Sequence, residues 1–280
     1  MNVQNHSSPD QNPLVSGSTT DTFIERVFNP VSALNYRNNY LRLSSSLTYS
    51  YLAVLPIILL YETGILLVNT GTFNQVRISA EVFVKQILNL VGLGNTIWFA
   101  LLILLLGLGI LLYEKRAGLK MIPRYFAMMY AESLLYAILL GSLVALVVGG
   151  LFGMILTPLS LQAPPSSGNS FLTQIILSLG AGVYEEFIFR FLLVTLLYVI
   201  LLGLKIDTRV RYTIAAILGA LIFSGVHYTG TMGDPFTLSS FTFRFLMGLS
   251  LNALYLTRGF GIAAVTHALY DIYVTILQHI

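Results

Sequence analysis

Long apolar runs recur along this chain, at 47–69, 95–113, 125–157, 171–204, 211–228, 237–257 and 261–279. A hydrocarbon core about 30 Å thick takes roughly 20 apolar residues per helix. The runs predict an all-α fold, a polytopic transmembrane helical bundle of about seven spans. The range is six to eight, because 125–157 and 171–204 are each long. Between the first two runs, residues 76–93 carry Arg77, Glu81 and Lys85 among apolar residues, a pattern for an amphipathic interfacial segment or an ordinary loop helix.

Composition excludes the competing classes. Only 10% of the 280 residues are charged and 56% are hydrophobic, against about 25% charged in a soluble domain. The net charge of +3 is small and its 15 Lys and Arg are scattered, so no basic stripe for nucleic acid exists. With no cysteine, thiol nucleophiles, disulfide frameworks and thiolate metal sites are absent. The polar stretch 1–46 reads as a mostly disordered tail without the pattern of a cleavable signal. Residues 47–169 then read as N-terminal transmembrane helices and 170–280 as a C-terminal transmembrane core. If 171–204 crosses once and the N-terminus is cytoplasmic, eleven Lys and Arg fall in cytoplasmic segments and only Arg77 and Lys85 outside, the bias that sets orientation. The expected location is a membrane, multi-pass, with the cell membrane favoured.

Charges inside hydrocarbon are costly and mark functional sites. Here they are Glu62, Glu132, Glu185, Glu186, Arg190, His227, Arg244, His267 and Asp271. Most fall in three short motifs near the end of the chain. In Glu185-Glu186-Phe187-Ile188-Phe189-Arg190, Glu186 and Arg190 stack four apart in the favoured acid-first order, while Glu185 sits about 100° around the helix. That geometry makes Glu186 a partner for Arg190 and frees Glu185 to project into a cavity. Phe223-Ser224-Gly225-Val226-His227 ends a helix before a turn-rich segment. His267 and Asp271 share a helix face four apart. A carboxylate and two imidazoles are what water activation and oxyanion stabilisation require.

These motifs, in this order, resemble those of the CAAX prenyl protease and bacteriocin-processing (CPBP, or Abi) family of intramembrane proteases. The resemblance covers roughly residues 170–279. It implies an intramembrane endopeptidase in which Glu185 with His227 activates the attacking water. By the same resemblance Glu186 pairs with Arg190, and His267 with the Asp271 position stabilises the oxyanion. CAAX-processing members typically carry Asn at that last position. An ionised Asp donates no hydrogen bond, so Asp271 either stays protonated or orients His267. Zinc signatures are absent, and metal-independent chemistry is favoured; the alternative is zinc on Glu185, His227 and His267. The partners expected are a peptide or protein substrate, lipidated in some family members, and the lipid bilayer; no nucleic acid is expected. Rival functions are an ion-coupled transporter, which would need repeats not seen here, and a non-catalytic scaffold or immunity factor.

Three further points await the structure. Glu62 and Glu132 either line a substrate route or are partnered packing residues. Arg244 either binds a peptide carboxylate or pairs with an acid, the pair being favoured. Counted along its helix, His227 lies near the outer end of its span and His267 nearer the inner end. For the two to meet, a helix must begin deep, and Arg258-Gly259-Phe260-Gly261 is the expected place.

Overall fold

The computed structural model describes residues 38–69, 77–90, 92–116, 118–153, 170–230 and 233–279, and all regular structure among them is helical. In chain order the elements are α1 (Asn39–Ser44), α2 (Leu47–Val68), α3 (Ser79–Asn89), α4 (Thr96–Arg116), α5 (Arg124–Phe152) and α6 (Phe171–Glu186). A π-helical stretch, Phe187–Val194, joins α6 to α7 (Thr195–Ile200). After it come α8 (Thr208–Val226), α9 (Leu238–Arg258) and α10 (Phe260–His279).

Six helical runs among the described residues are long and apolar enough to cross a bilayer, and Phe171–Gly203 is one continuous run of 33 residues. The long stretch 171–204 therefore stays a single crossing. The seventh expected span is α9, 21 residues long, or about 31 Å at a rise of 1.5 Å. It falls short on apolarity because Ser239, Ser240, Thr242, Arg244, Asn252 and Arg258 interrupt it. Two of its buried polar side chains have partners on other helices: Asn252 Nδ2 donates to the Ala216 carbonyl at 2.6 Å, and Arg258 Nε donates to Glu132 Oε1 at 2.6 Å. The protein is a multi-pass helical membrane protein.

Helix starts carry side-chain caps that satisfy orphan N–H groups. Ser46, Ser170, Asp207 and Thr237 cap α2, α6, α8 and α9. The Glu114 carboxylate, from the end of α4, accepts from the backbone N–H groups of Leu47 and Thr48 at 3.1 and 2.8 Å. The start of α2 and the end of α4 are thus tied together. The helix α10 is its axis: 61% of its spanning window is buried, against 33% or less in the other five candidate spans.

Two expectations need correction. The polar tail does not extend through residue 46, since α1 is a capped helix. Tyr40 in it donates to Glu132 Oε2 at 2.5 Å. Burial and that carboxylate hold the Tyr40 phenol above its ordinary pKa. Residues 1–37 lie outside the described residues. The second correction concerns 76–93. It contains an amphipathic helix, α3, but the charged face points inward: Glu81 is fully buried and Lys85 is 9% exposed, whereas Phe83 and Ile87 are exposed. The charges can turn inward because they are paired there. Glu81 meets Lys85 at 2.5 Å and also Arg77, and it accepts from Tyr61 at 2.5 Å.

Candidate active site

Close helix contact builds the site. A Cβ added at Gly182 on α6 would lie 2.3 Å from the backbone nitrogen of Ala268 on α10, so only glycine permits this approach. Ala268 follows His267, and Glu186 lies one turn after Gly182. The contact therefore sets Glu186 against His267, whose Nδ1 is 2.7 Å from Glu186 Oε1. The same oxygen lies 2.8 Å from Arg190 Nη1, and both side chains of that pair are fully buried. Directly after Glu186 the helix widens into its π-helical stretch, a deviation common at functional sites. Arg190 falls within it, with its guanidinium 4.3 Å from the Phe223 ring centroid.

Glu185 takes a different direction from its neighbour. With His227, His267 and Asp271 it lines a cavity of about 250 Å³. The apolar part of the wall comes from Phe223, Phe243, Met247 and Leu251. His267 is 7% exposed, and its Nε2 lies 3.5 Å from Asp271 Oδ2. Each ring nitrogen of His267 thus faces a carboxylate oxygen, and such oxygens accept when ionised. In that state the imidazole serves as a donor.

His227 is the C-cap of α8. Its Nδ1 is 2.7 Å from the Phe223 carbonyl, one of the helix-end carbonyls that lack an intrahelical partner. A carbonyl only accepts, so Nδ1 carries the proton, and in the neutral ring Nε2 holds the lone pair. Phe223 thus fixes the tautomer of His227 through its backbone. Its ring also packs edge-on to both histidines, at centroid distances of 4.8 and 6.5 Å.

His227 and His267 line one cavity, and α10, which carries His267, starts at a glycine corner. Gly259 has φ +86°, and a Cβ there would sit 3.0 Å from the Ser45 carbonyl oxygen. Two residues further, Gly261 packs on Ser50 of α2. Arg258 is 6% exposed. The α9–α10 corner is therefore covered by α1 and the start of α2, and α10 begins inside protein, where irregular backbone is tolerated.

The other intramembrane charges fall elsewhere. Glu132 is gripped by Arg258 at 2.6 and 2.8 Å. Glu62 accepts from Tyr184 at 2.8 Å and lies 3.9 Å from Lys85. Both are partnered packing residues. Arg244 pairs with Asp234 at 2.5 Å, yet it also lines the cavity. Among the described residues no three His, Asp or Glu side chains are gathered as a metal-ligand set. Sequence reasoning assigned no role to Phe223 beyond its place in a motif. The signal available was its position four residues before His227, the reach of a side chain to its own helix's carbonyl.

The helical membrane fold and this cavity can be set beside known proteins over the last part of the chain. Residues 167–273 match the family model described as type II CAAX prenyl endopeptidase Rce1-like. No curated protein and no solved structure matches the chain. Over that region the chain is similar to the CAAX-type intramembrane endopeptidase (CPBP) family, and the matched span contains all six motif residues, Glu185, Glu186, Arg190, His227, His267 and Asp271.

Proposed function

We propose that this protein is a metal-independent intramembrane endopeptidase in which Glu185 and His227 activate water. The supporting observation is the division of labour around one cavity. Glu185, His227, His267 and Asp271 face it, while Glu186 and Arg190 are sealed behind. In this reading His227 Nε2 accepts a hydrogen bond from the water and Glu185 takes its proton as the oxygen attacks the peptide carbonyl. The oxyanion accepts a hydrogen bond from His267 Nε2–H, and Asp271 orients that ring. As the tetrahedral intermediate collapses the C–N bond breaks, and the departing amine takes the proton from the Glu185 carboxyl group. Glu186 acts on the reaction by holding His267, with Arg190 balancing its charge. The substrate class we infer is a peptide chain reaching the cavity from the bilayer, with a prenylated cysteine near its C-terminus as the first candidate.

The test uses purified protein in liposomes and internally quenched peptides with three residues after a cysteine, farnesylated or not. Cleavage that survives prolonged EDTA or phenanthroline is the expected result. Loss of cleavage under chelation with recovery on adding zinc would overturn the metal-independent mechanism. No cleavage of either peptide by folded protein would count against the proteolytic reading.

A further inference from the structure

One cation in the cavity wall takes no part in activating water. Arg244 is the only lysine or arginine among the described residues lining the cavity, and it sits on α9 beside Phe243 and Met247. Its guanidinium is held in place from several sides. Nη1 donates to the Tyr228 hydroxyl at 2.7 Å and to the Ser240 hydroxyl at 2.6 Å. The group also lies 5.1 Å from the Tyr228 ring centroid. These neutral partners orient the fork without cancelling its charge. The anion that does so is Asp234, on Nη2 at 2.5 Å.

Among the described residues, Asp234 is placed differently from the other acids in ion pairs, which lie on helices. It belongs to the connection between α8 and α9, and its side chain is 30% exposed. Its backbone N–H donates to the His227 carbonyl at 2.9 Å. A preoriented guanidinium inside an apolar wall is thus neutralised by a half-exposed carboxylate from a loop.

We propose that Arg244 reads the free C-terminal carboxylate of the substrate peptide, with Asp234 holding its place until the chain end arrives. The inference rests on the proteolytic reading above. Arginine presents a planar fork that matches a carboxylate in two parallel hydrogen bonds. The exchange swaps one carboxylate for another, so the charge around Arg244 is conserved and Asp234 returns to water. At about 250 Å³ the cavity is below the roughly 300–1,000 Å³ of ordinary ligand pockets. It suits a short apolar tail, with Phe223, Phe243, Met247 and Leu251 for the side chains and Arg244 for the terminus. An internal peptide segment brings amides and no negative charge, and has no use for this cation.

The experiment compares one quenched farnesyl-cysteine peptide, with three apolar residues after the cysteine, as free acid and as C-terminal amide. Wild-type protein should favour the acid by roughly 10-fold or more in kcat/KM, chiefly through KM, the scale of one hydrogen bond to a charged group. Arg244→Gln should bring the acid-to-amide ratio toward one, and Arg244→Lys should restore part of it. Asp234→Asn, which removes the placeholder, should lower KM for the acid and raise the ratio, and it tests the idea should Arg244→Gln fail to fold. Equal cleavage of acid and amide by wild type would overturn the proposal while leaving proteolysis intact. So would an unchanged ratio in folded Arg244→Gln, or an Asp234→Asn protein slowed equally on both peptides. Cleavage of neither peptide would overturn both readings.

Discussion

Two buried arginines, Arg258 and Arg190, each meet a glutamate inside the bundle, yet the two clusters are built differently. Arg258 grips both oxygens of Glu132, and reaches Ser44 Oγ at 3.0 Å and the Leu41 carbonyl at 3.3 Å. Tyr40 adds a further bond to the carboxylate. That cluster closes on itself and fastens α1 over the α9–α10 corner. Glu186 instead shares one oxygen between Arg190 and His267, and its other oxygen has no hydrogen-bond partner among the described residues. Its chain of partners runs outward, through the imidazole, to Asp271 and the cavity. A buried charge in a membrane protein marks chemistry when its partners lead to a cavity, and marks fastening when they close.

Four variants sharpen or break this comparison. His227→Gln should slow peptide cleavage about 10²–10⁴-fold, the usual contribution of general-base catalysis, with thermal stability in detergent kept. A large stability loss with an intact rate would move His227 into the fastening class. Glu132→Gln should do the reverse. Leaving Arg258 buried beside a neutral partner should cost about 3–5 kcal/mol of stability, with the rate per folded molecule retained; thermal melts paired with active-fraction measurements would separate the two. Gly182→Val forces atoms into the Ala268 backbone, a strain of about 1–3 kcal/mol or more. It should also lower the rate by moving Glu186 from His267, and a neutral Gly182→Val would contradict the packing described. Tyr61→Phe removes one hydrogen bond to Glu81 within a closed cluster, worth about 1 kcal/mol, and should leave cleavage unaffected.

The sequence made much of this legible, with gaps that have physical causes. Apolar run length located the spans, because nothing else lets a chain cross hydrocarbon. Even α9 was visible as a run of crossing length despite its polar residues. Spacing along one helix separated Glu185 from Glu186, since a step of about 100° points neighbours to different places. No local rule reaches from Glu186 to His267, 81 residues away. The inward charged face of α3 was hidden for the same reason: its partners Tyr61 and Glu62 sit on α2, and burial follows partners rather than polarity alone. Asp234 escaped notice because a loop acid in a turn-rich stretch carries no periodic signal. Its pairing with Arg244 follows from where the loop lies after α8 ends at His227.

The central claim is that two adjacent glutamates do different work, Glu185 in the reaction and Glu186 in the frame that holds His267. The most direct test measures cleavage rate per folded molecule and thermal stability for Glu185→Gln and Glu186→Gln side by side in the same liposomes. The account predicts that Glu185→Gln keeps its melting temperature and loses cleavage by about 10²-fold or more. It predicts that Glu186→Gln loses about 3–5 kcal/mol of stability as Arg190 is left buried without its counter-charge. A stable Glu186→Gln protein together with an active Glu185→Gln protein would contradict it.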